Sequence, residues 1–205
     1  MISYKIHLLR SGSADDGPEK RYLGQMDIPL CDAGRKNLRQ MAKTLTYPLV
    51  GRVYTSPISR CIQTAGVLYP GHQPLVVEGL KDINLGAFEG KTFDQLKNDA
   101  DFTRWLDNSF ENAPPGGEKA ADFTQRIVAA FDGIARQMIR DKVTEVAVIT
   151  HGGVVMALMA AIAFPRLPIH QWAVGNGRGY TLLTNTQMWL RDGCAEAFCT
   201  LPHEG

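Results

Sequence analysis

The stretch Val146-Ala147-Val148-Ile149-Thr150 constrains this chain more than any other, because it is apolar, unbroken and rich in β-branched residues. Such a run reads as a strand, and without alternation it suits a central parallel strand covered on both faces. His151-Gly152-Gly153 follows at once, then an apolar helix to about Ala163. Near the N-terminus a second apolar run, Tyr4-Lys5-Ile6-His7-Leu8-Leu9, breaks into Arg10-Ser11-Gly12-Ser13. It too reads as a buried strand, with its polar residues just past the C-terminal end.

The intervening segments supply helices. One is expected from about Asp32, as N-cap, to Leu45, with Leu38 and Met41 on its apolar face. Arg52-Val53-Tyr54-Thr55 is a second short strand, and Ser56-Pro57 reads as cap and first turn of a helix that buries Ile58, Ile62 and Ala65. Pro74 to Val77 is a third strand, and Leu80 to Gly90 is irregular. Thr92-Phe93-Asp94-Gln95 is a capping-box start. A short helix around Phe102 to Leu106, a Pro/Gly break from Ala113 to Gly117 and a long amphipathic helix from Glu118 to Arg140 follow. Tyr180 to Thr184, Met188 to Arg191 and Ala197 to Leu201 read as late strands, with Asp192-Gly193 as a turn. Strands alternating with helices predict an α/β fold, a three-layer α/β/α sandwich around a mostly parallel, doubly wound sheet.

At 205 residues one domain, 1–205, is expected. The formal net charge of +1 argues against a nucleic-acid surface, so any anion binding must be local. The four cysteines show no CxxC spacing and read as reduced thiols. Met1 leads straight into the first strand, with no leader and no run of about 18 apolar residues. A cytoplasmic protein without a membrane partner is expected. The late strands leave an edge on which a homodimer could form.

In a parallel sheet the strand ends share one edge, where ligands of open α/β sheets bind. The first delivers Arg10, Ser11 and Gly12; the second delivers Ser56, with Arg60 one helical turn on; the central one delivers His151. Two guanidinium forks and an imidazolium match the oxygens of a phosphoryl group. Each residue alone has a plainer reading, as a surface ion pair, a solvated helix residue or a core histidine; jointly they favour an anion pocket. His7 lies roughly 13 Å back along the strand at about 3.3 Å per residue and reads as structural. No Gly-x-Gly-x-x-Gly follows a strand, no Gly-x-Ser-x-Gly elbow is present, and the five histidines have no ligand spacing, so neither a cofactor nor a metal is expected.

At these residues the chain resembles the histidine phosphatase, or phosphoglycerate mutase-like, superfamily. The resemblance rests on Leu9-Arg10-Ser11-Gly12, on Tyr22 to Leu30, on Thr55 to Ala65, on Leu80 to Gly90, on Pro115-Gly116-Gly117-Glu118 and on Ile149 to Gly153. It implies a phosphomonoester hydrolase in which a histidine at position 11 attacks phosphorus while Arg10, Arg60 and His151 hold the phosphoryl oxygens. It also implies that the acid after the third strand protonates the leaving oxygen and then activates water. The family usually carries glutamate there; this chain has Asp82, one methylene shorter, with Glu89 nearby in a more structural place. Ser13, Gly24, Gln25, Glu118 and a helical cap over about 92–115 are implied to line the approach of a small phosphorylated metabolite. The compact length is similar to the phosphatase branch, and within it to α-ribazole phosphatases, rather than to glycolytic mutases; a mutase-like phosphotransferase is the alternative.

The chain departs from the family at one place. Ser11 stands where the nucleophilic histidine belongs, and a serine hydroxyl without an adjacent base is a poor nucleophile. The chain as written is therefore expected to be nearly inactive. Because Arg10, Arg60, Asp82 and His151 all remain, an engineered, substrate-trapping change in a working phosphatase is the first explanation. The second is a natural pseudo-phosphatase that binds a phosphorylated ligand without turnover.

Overall fold

A computed structural model describes residues 2–14 and 20–204. In chain order it contains β1 (Ser3–Arg10), α1 (Asp32–Thr44), β2 (Leu45–Thr46), β3 (Arg52–Thr55), α2 (Ser59–Leu68), β4 (Leu75–Val76), α3 (Phe93–Leu96) and α4 (Ala100–Asp107). Then come α5 (Ala120–Arg140), β5 (Glu145–Thr150), α6 (Gly152–Ile162), β6 (Ala163–Phe164), β7 (Gly179–Asn185), α7 (Thr186–Asp192), β8 (Ala195–Leu201) and β9 (His203–Glu204). Residues 15–19 of the charged loop after β1 lie outside the described residues.

Seven strands form one sheet in the order β4-β3-β5-β1-β7-β8-β6. The first four are mutually parallel, β7 runs antiparallel to both β1 and β8, and β6 pairs parallel with β8. The strand pleat sorts side chains to two faces. Ile6, Leu8, Val146 and Val148 pack toward α5 and α6, where Ile127, Phe131 and Leu158 are fully buried. Leu9, Ala147 and Ile149 point the other way, against Leu38 of α1 and Cys61 and Ala65 of α2. This is the expected three-layer mixed α/β architecture. No helix among the described residues is long and apolar enough to cross a membrane.

The stretch over α3 and α4 carries its own small cluster, in which Phe88, Leu96 and Phe102 are buried against Tyr22 and Trp105. The capping box of Thr92 and Gln95 forms as the spacing predicts. Four local expectations are corrected. Asp32 is the first residue of α1 rather than its cap; the Cys31 sulfur accepts from the Gly34 N–H, and Asp32 adds favourable charge to the first turn. Ser56 does not cap α2, which starts three residues later behind Ile58, because the Ser56 hydroxyl is engaged by His151. Ile62 of α2 is 39% exposed rather than core. Met188 to Arg191 is helix, not strand: the Asn185 side chain accepts from the Met188 N–H, Trp189 is buried, and Gly193 ends the turn at φ +59°.

Candidate active site

The register of three parallel strands builds the site. Arg10 lies beside Thr150, and Thr55 beside Ile149. Ser11 and His151 therefore stand side by side one residue beyond the ladder, and Ser56, level with Thr150 on the other side of β5, reaches His151 Nε2 with its hydroxyl at 2.8 Å. Backbone bonds lock this rung: the Ser11 N–H donates to Thr150 O at 2.8 Å and the Ser56 N–H to Ile149 O at 3.0 Å. Above it lies a cavity of about 450 Å³ lined by Arg10, Ser11, Arg60, Asp82 and His151, among others. The sequence-predicted convergence of residues 10, 60 and 151 is thus present in the structure.

Each cation is held by backbone carbonyls, which fix its direction without neutralising it. Arg10 donates from Nη1 to Val174 O at 2.7 Å. Arg60, only 4% exposed, donates from Nη1 to Met26 O at 2.8 Å and from Nη2 to Gly24 O at 2.9 Å. Gly24 can present that carbonyl because it adopts φ +50°, where a Cβ would stand 2.3 Å from the Glu89 carboxylate. The two glycines after His151 make room for its neighbours Arg10 and Asp82 rather than for its ring. A Cβ on Gly152 would stand 3.2 Å from the Arg10 guanidinium, and one on Gly153 would stand 3.0 Å from Asp82 Oδ1. Gly12 likewise serves packing: its Cβ would meet Leu38 at 2.5 Å, and its N–H is taken by Thr64 Oγ1.

His151 is 2% exposed and shares a 2.8 Å hydrogen bond between Nε2 and Ser56 Oγ. Burial first, then the cations Arg60, Arg126 and Arg10, push its pKa well below the usual histidine range. The imidazolium assumed from sequence is therefore not the resting form; an incoming dianion would supply the charge that raises this pKa. Asp82 Oδ2 lies 4.0 Å from Arg60 Nη2 and 3.9 Å from His151 Nδ1. Its Oδ1 accepts from the Ile83 N–H at 3.0 Å. Burial raises the carboxyl from 3.8 to about 6, against the lowering pull of that N–H and of Arg60, Arg10 and Arg126. A carboxyl with that pKa in a cationic cleft suits proton donation near neutrality.

Ser11 is 4% exposed, and its carbonyl accepts from Asn176 Nδ2 at 2.9 Å. Its hydroxyl faces the buried Cys61 thiol, which burial pushes up to about 12, so that thiol is no base. Among the described residues no imidazole or carboxylate bonds to the Ser11 hydroxyl.

The remaining residues expected at the site divide. Ser13 and Gly24 line the cavity. Gln25 does not: its Nε2 donates to Asp82 O at 2.9 Å and its N–H to Glu89 Oε1 at 2.8 Å. Glu118 is likewise spent off the cavity, paired with Arg126 at 2.6 Å and accepting from the Asn84 N–H. Glu89 accepts from Gln25 and Leu85 backbone N–H groups, which agrees with its structural reading. Sequence reasoning missed Arg126, which donates to the carbonyls of Gly79, Lys81 and Asp82 and so ties down the loop that carries Asp82. A lone arginine beside the apolar stripe of α5 was its only signal. Asn176, which steadies the Ser11 backbone, had none.

Comparison with known proteins agrees with this geometry. The family model of the histidine phosphatase superfamily (branch 1) matches residues 6–190. A glucosyl-3-phosphoglycerate phosphatase from Mycolicibacterium vanbaalenii is 28% identical over 183 residues, covering 85% of this chain and 80% of that protein. Phosphoserine phosphatase 1 from Hydrogenobacter thermophilus is 24% identical, covering 65% of each chain. The crystal structure of an α-ribazole phosphatase from Shigella flexneri superposes with a TM-score of 0.77 at 19% identity, covering 98% of this chain and 97% of that one. With the site geometry and the family match in agreement, the chain belongs to the histidine phosphatase superfamily, branch 1.

Proposed function

We propose that this chain binds a small phosphomonoester at Arg10, Arg60 and His151, and that it carries a hydrolytic machinery complete except at position 11. The observation that carries the reading is the single cavity in which both guanidinium groups, the imidazole and the Asp82 carboxyl stand around Ser11. With histidine at position 11, the imidazole would attack phosphorus in line. Arg10 and Arg60 would take the charge on the equatorial oxygens. Asp82, protonated, would give its proton to the leaving oxygen; as carboxylate it would then take a proton from the water that cleaves the phosphohistidine. With serine there, the phosphoryl group is held and not transferred, because the hydroxyl has no base.

The test is Ser11→His assayed on p-nitrophenyl phosphate and a panel of metabolite phosphomonoesters. A gain of about 10⁴-fold or more over the unaltered chain is expected. Absence of any gain, in a folded variant that still binds phosphate, would favour the second reading, a binding protein without turnover. The aromatic rings of the cap give no support to a nucleoside substrate: Phe102 and Trp105 pack into the cap's own cluster and neither lines the cavity.

A further inference from the structure

One hydroxyl beneath the cavity touches no ligand and still bears on the site. Ser56 is fully buried and does not line the cavity, yet its Oγ lies 2.8 Å from His151 Nε2. Burying a hydroxyl is costly unless its hydrogen-bonding capacity is used. Ser56 Oγ accepts from the Ile58 N–H at 3.5 Å, which leaves its own O–H to be placed.

The His151 ring has two unequal sides. Nδ1 stands 3.9 Å from Asp82 Oδ2, and a carboxylate there favours a proton on Nδ1. Nε2 then carries the lone pair, and the Ser56 O–H is the donor that meets it. Cys61 closes the nest: its Sγ lies 3.5 Å from Nε2, and its thiol hydrogen-bonds with Ser56 and Ser11. The charged and titratable groups that act on the ring are Arg10 from β1, Arg60 and Cys61 from α2, Asp82 from the loop after β4 and Arg126 from α5; α6 carries none.

A dianion bound beside Nδ1 favours a second ring proton, taken from solvent, and the ring then donates from both nitrogens. A hydroxyl can follow that change by turning about its C–O bond. Ser56 Oγ then accepts from the Nε2–H and the Ile58 N–H, and its O–H turns to Cys61 Sγ. Each polar atom of the nest has a partner in both states.

Resting on the phosphoryl-site reading, we propose that Ser56 is the positioning residue of His151: its hydroxyl donates to Nε2 in the free site, which aims Nδ1–H into the cavity, and it turns to accept from Nε2–H when a bound phosphoryl dianion makes the ring an imidazolium. Ligand binding and proton uptake are then one event, and affinity for a dianion falls as pH rises past the point where the ring takes that proton.

The experiment uses the protein as it stands, with sulfate as probe, a dianion of the same shape that carries no proton of its own near neutrality. With isotope-labelled histidine, and the His151 signals assigned by their loss in His151→Gln, nuclear magnetic resonance at about pH 7 should show the free ring protonated on Nδ1 alone and the sulfate-saturated ring protonated on both nitrogens. By calorimetry, Ser56→Ala should weaken sulfate binding at that pH about tenfold or more and move the pH at which binding fades down by about one unit or more. Ser56→Thr, which keeps the hydroxyl, should restore both. Lost packing alone would weaken binding equally at every pH and leave the profile in place. A free ring protonated on Nε2, an unshifted profile in folded Ser56→Ala, or a folded Ser56→Thr that binds like Ser56→Ala overturns the assignment and leaves the phosphoryl site standing. Absence of sulfate binding in the unaltered chain overturns both.

Discussion

Two histidines are buried to the same degree, 2% exposed each, one within β1 and one just past the end of its parallel neighbour β5, yet they sit in opposite kinds of surroundings. His7 lies inside β1 beside Ala147 and shares a 3.0 Å hydrogen bond through Nδ1 with Thr181 Oγ1; its Nε2 has no hydrogen-bond partner among the described residues. Burial lowers its pKa to about 4, so it is a neutral core residue. His151 lies one residue past β5, and the residues around it are Ser56, Asp82, Arg10 and Arg60. The difference is position along the strand. Within the sheet every neighbour is committed to the ladder or the core. At the carboxyl edge, loops from three strands can bring charges together without burying them in hydrocarbon.

The comparison can be broken most forcefully at position 11. Ser11→His should raise phosphomonoester hydrolysis by about 10⁴-fold or more. In that background His151→Ala should lower kcat by about 10²- to 10³-fold, the cost of losing one donor to the developing charge. His7→Asn should leave kcat of the folded protein unchanged and destabilise it by about 1–3 kcal/mol in denaturant melts, because it disturbs a buried hydrogen bond. A catalytic defect from His7→Asn would erase the distinction drawn between the two rings.

Asp82 sharpens the comparison through pH. Its folded pKa, about 6, lies above the ordinary 3.8, so the folded state holds an extra proton between those values. Stability should fall as pH rises from about 4 to about 6, and the deficit should persist above that. Asp82→Asn should therefore stabilise the protein at pH 7 by on the order of 1–2 kcal/mol, allowing for the partial exposure of the side chain. In the Ser11→His protein, kcat/KM should decline as pH rises through about 6, where the acid loses its proton, and Asp82→Asn should remove that limb. The smallest effect belongs to His7: its folded pKa lies below the ordinary 6.5, so it contributes stability above pH 6.5 that is lost as pH falls toward about 4. Melts of His7→Asn between pH 4 and 7 should show a flatter acid slope than the parent chain.

What the sequence made legible follows from the same physics. The apolar runs of β1 and β5, and the turn to polar residues at their ends, placed Arg10 and His151 correctly because strand pairing fixes where a strand end lies. Arg60 was legible through its one-turn spacing from Ser56. The amphipathic pattern from Glu118 to Arg140 identified α5, whose Phe123, Ile127, Phe131, Ile134 and Met138 are all buried. Residues whose role lies in backbone bonds made across the fold were not legible. Arg126 anchors the Asp82 loop from 44 positions away, and Asn176 reaches Ser11 across 165. The misread strand at Met188 to Arg191 shows a short apolar segment decided by its cap, Asn185, rather than by its composition.

The central claim is that Arg10, Arg60 and His151 make one phosphoryl site, and titration with inorganic phosphate tests it most directly. The unaltered chain should bind phosphate at one site by calorimetry, and Arg60→Ala should weaken that binding by about tenfold or more while the protein still melts cooperatively. Absence of phosphate binding in the unaltered chain, or binding that Arg10→Ala and Arg60→Ala both leave unchanged, would contradict it.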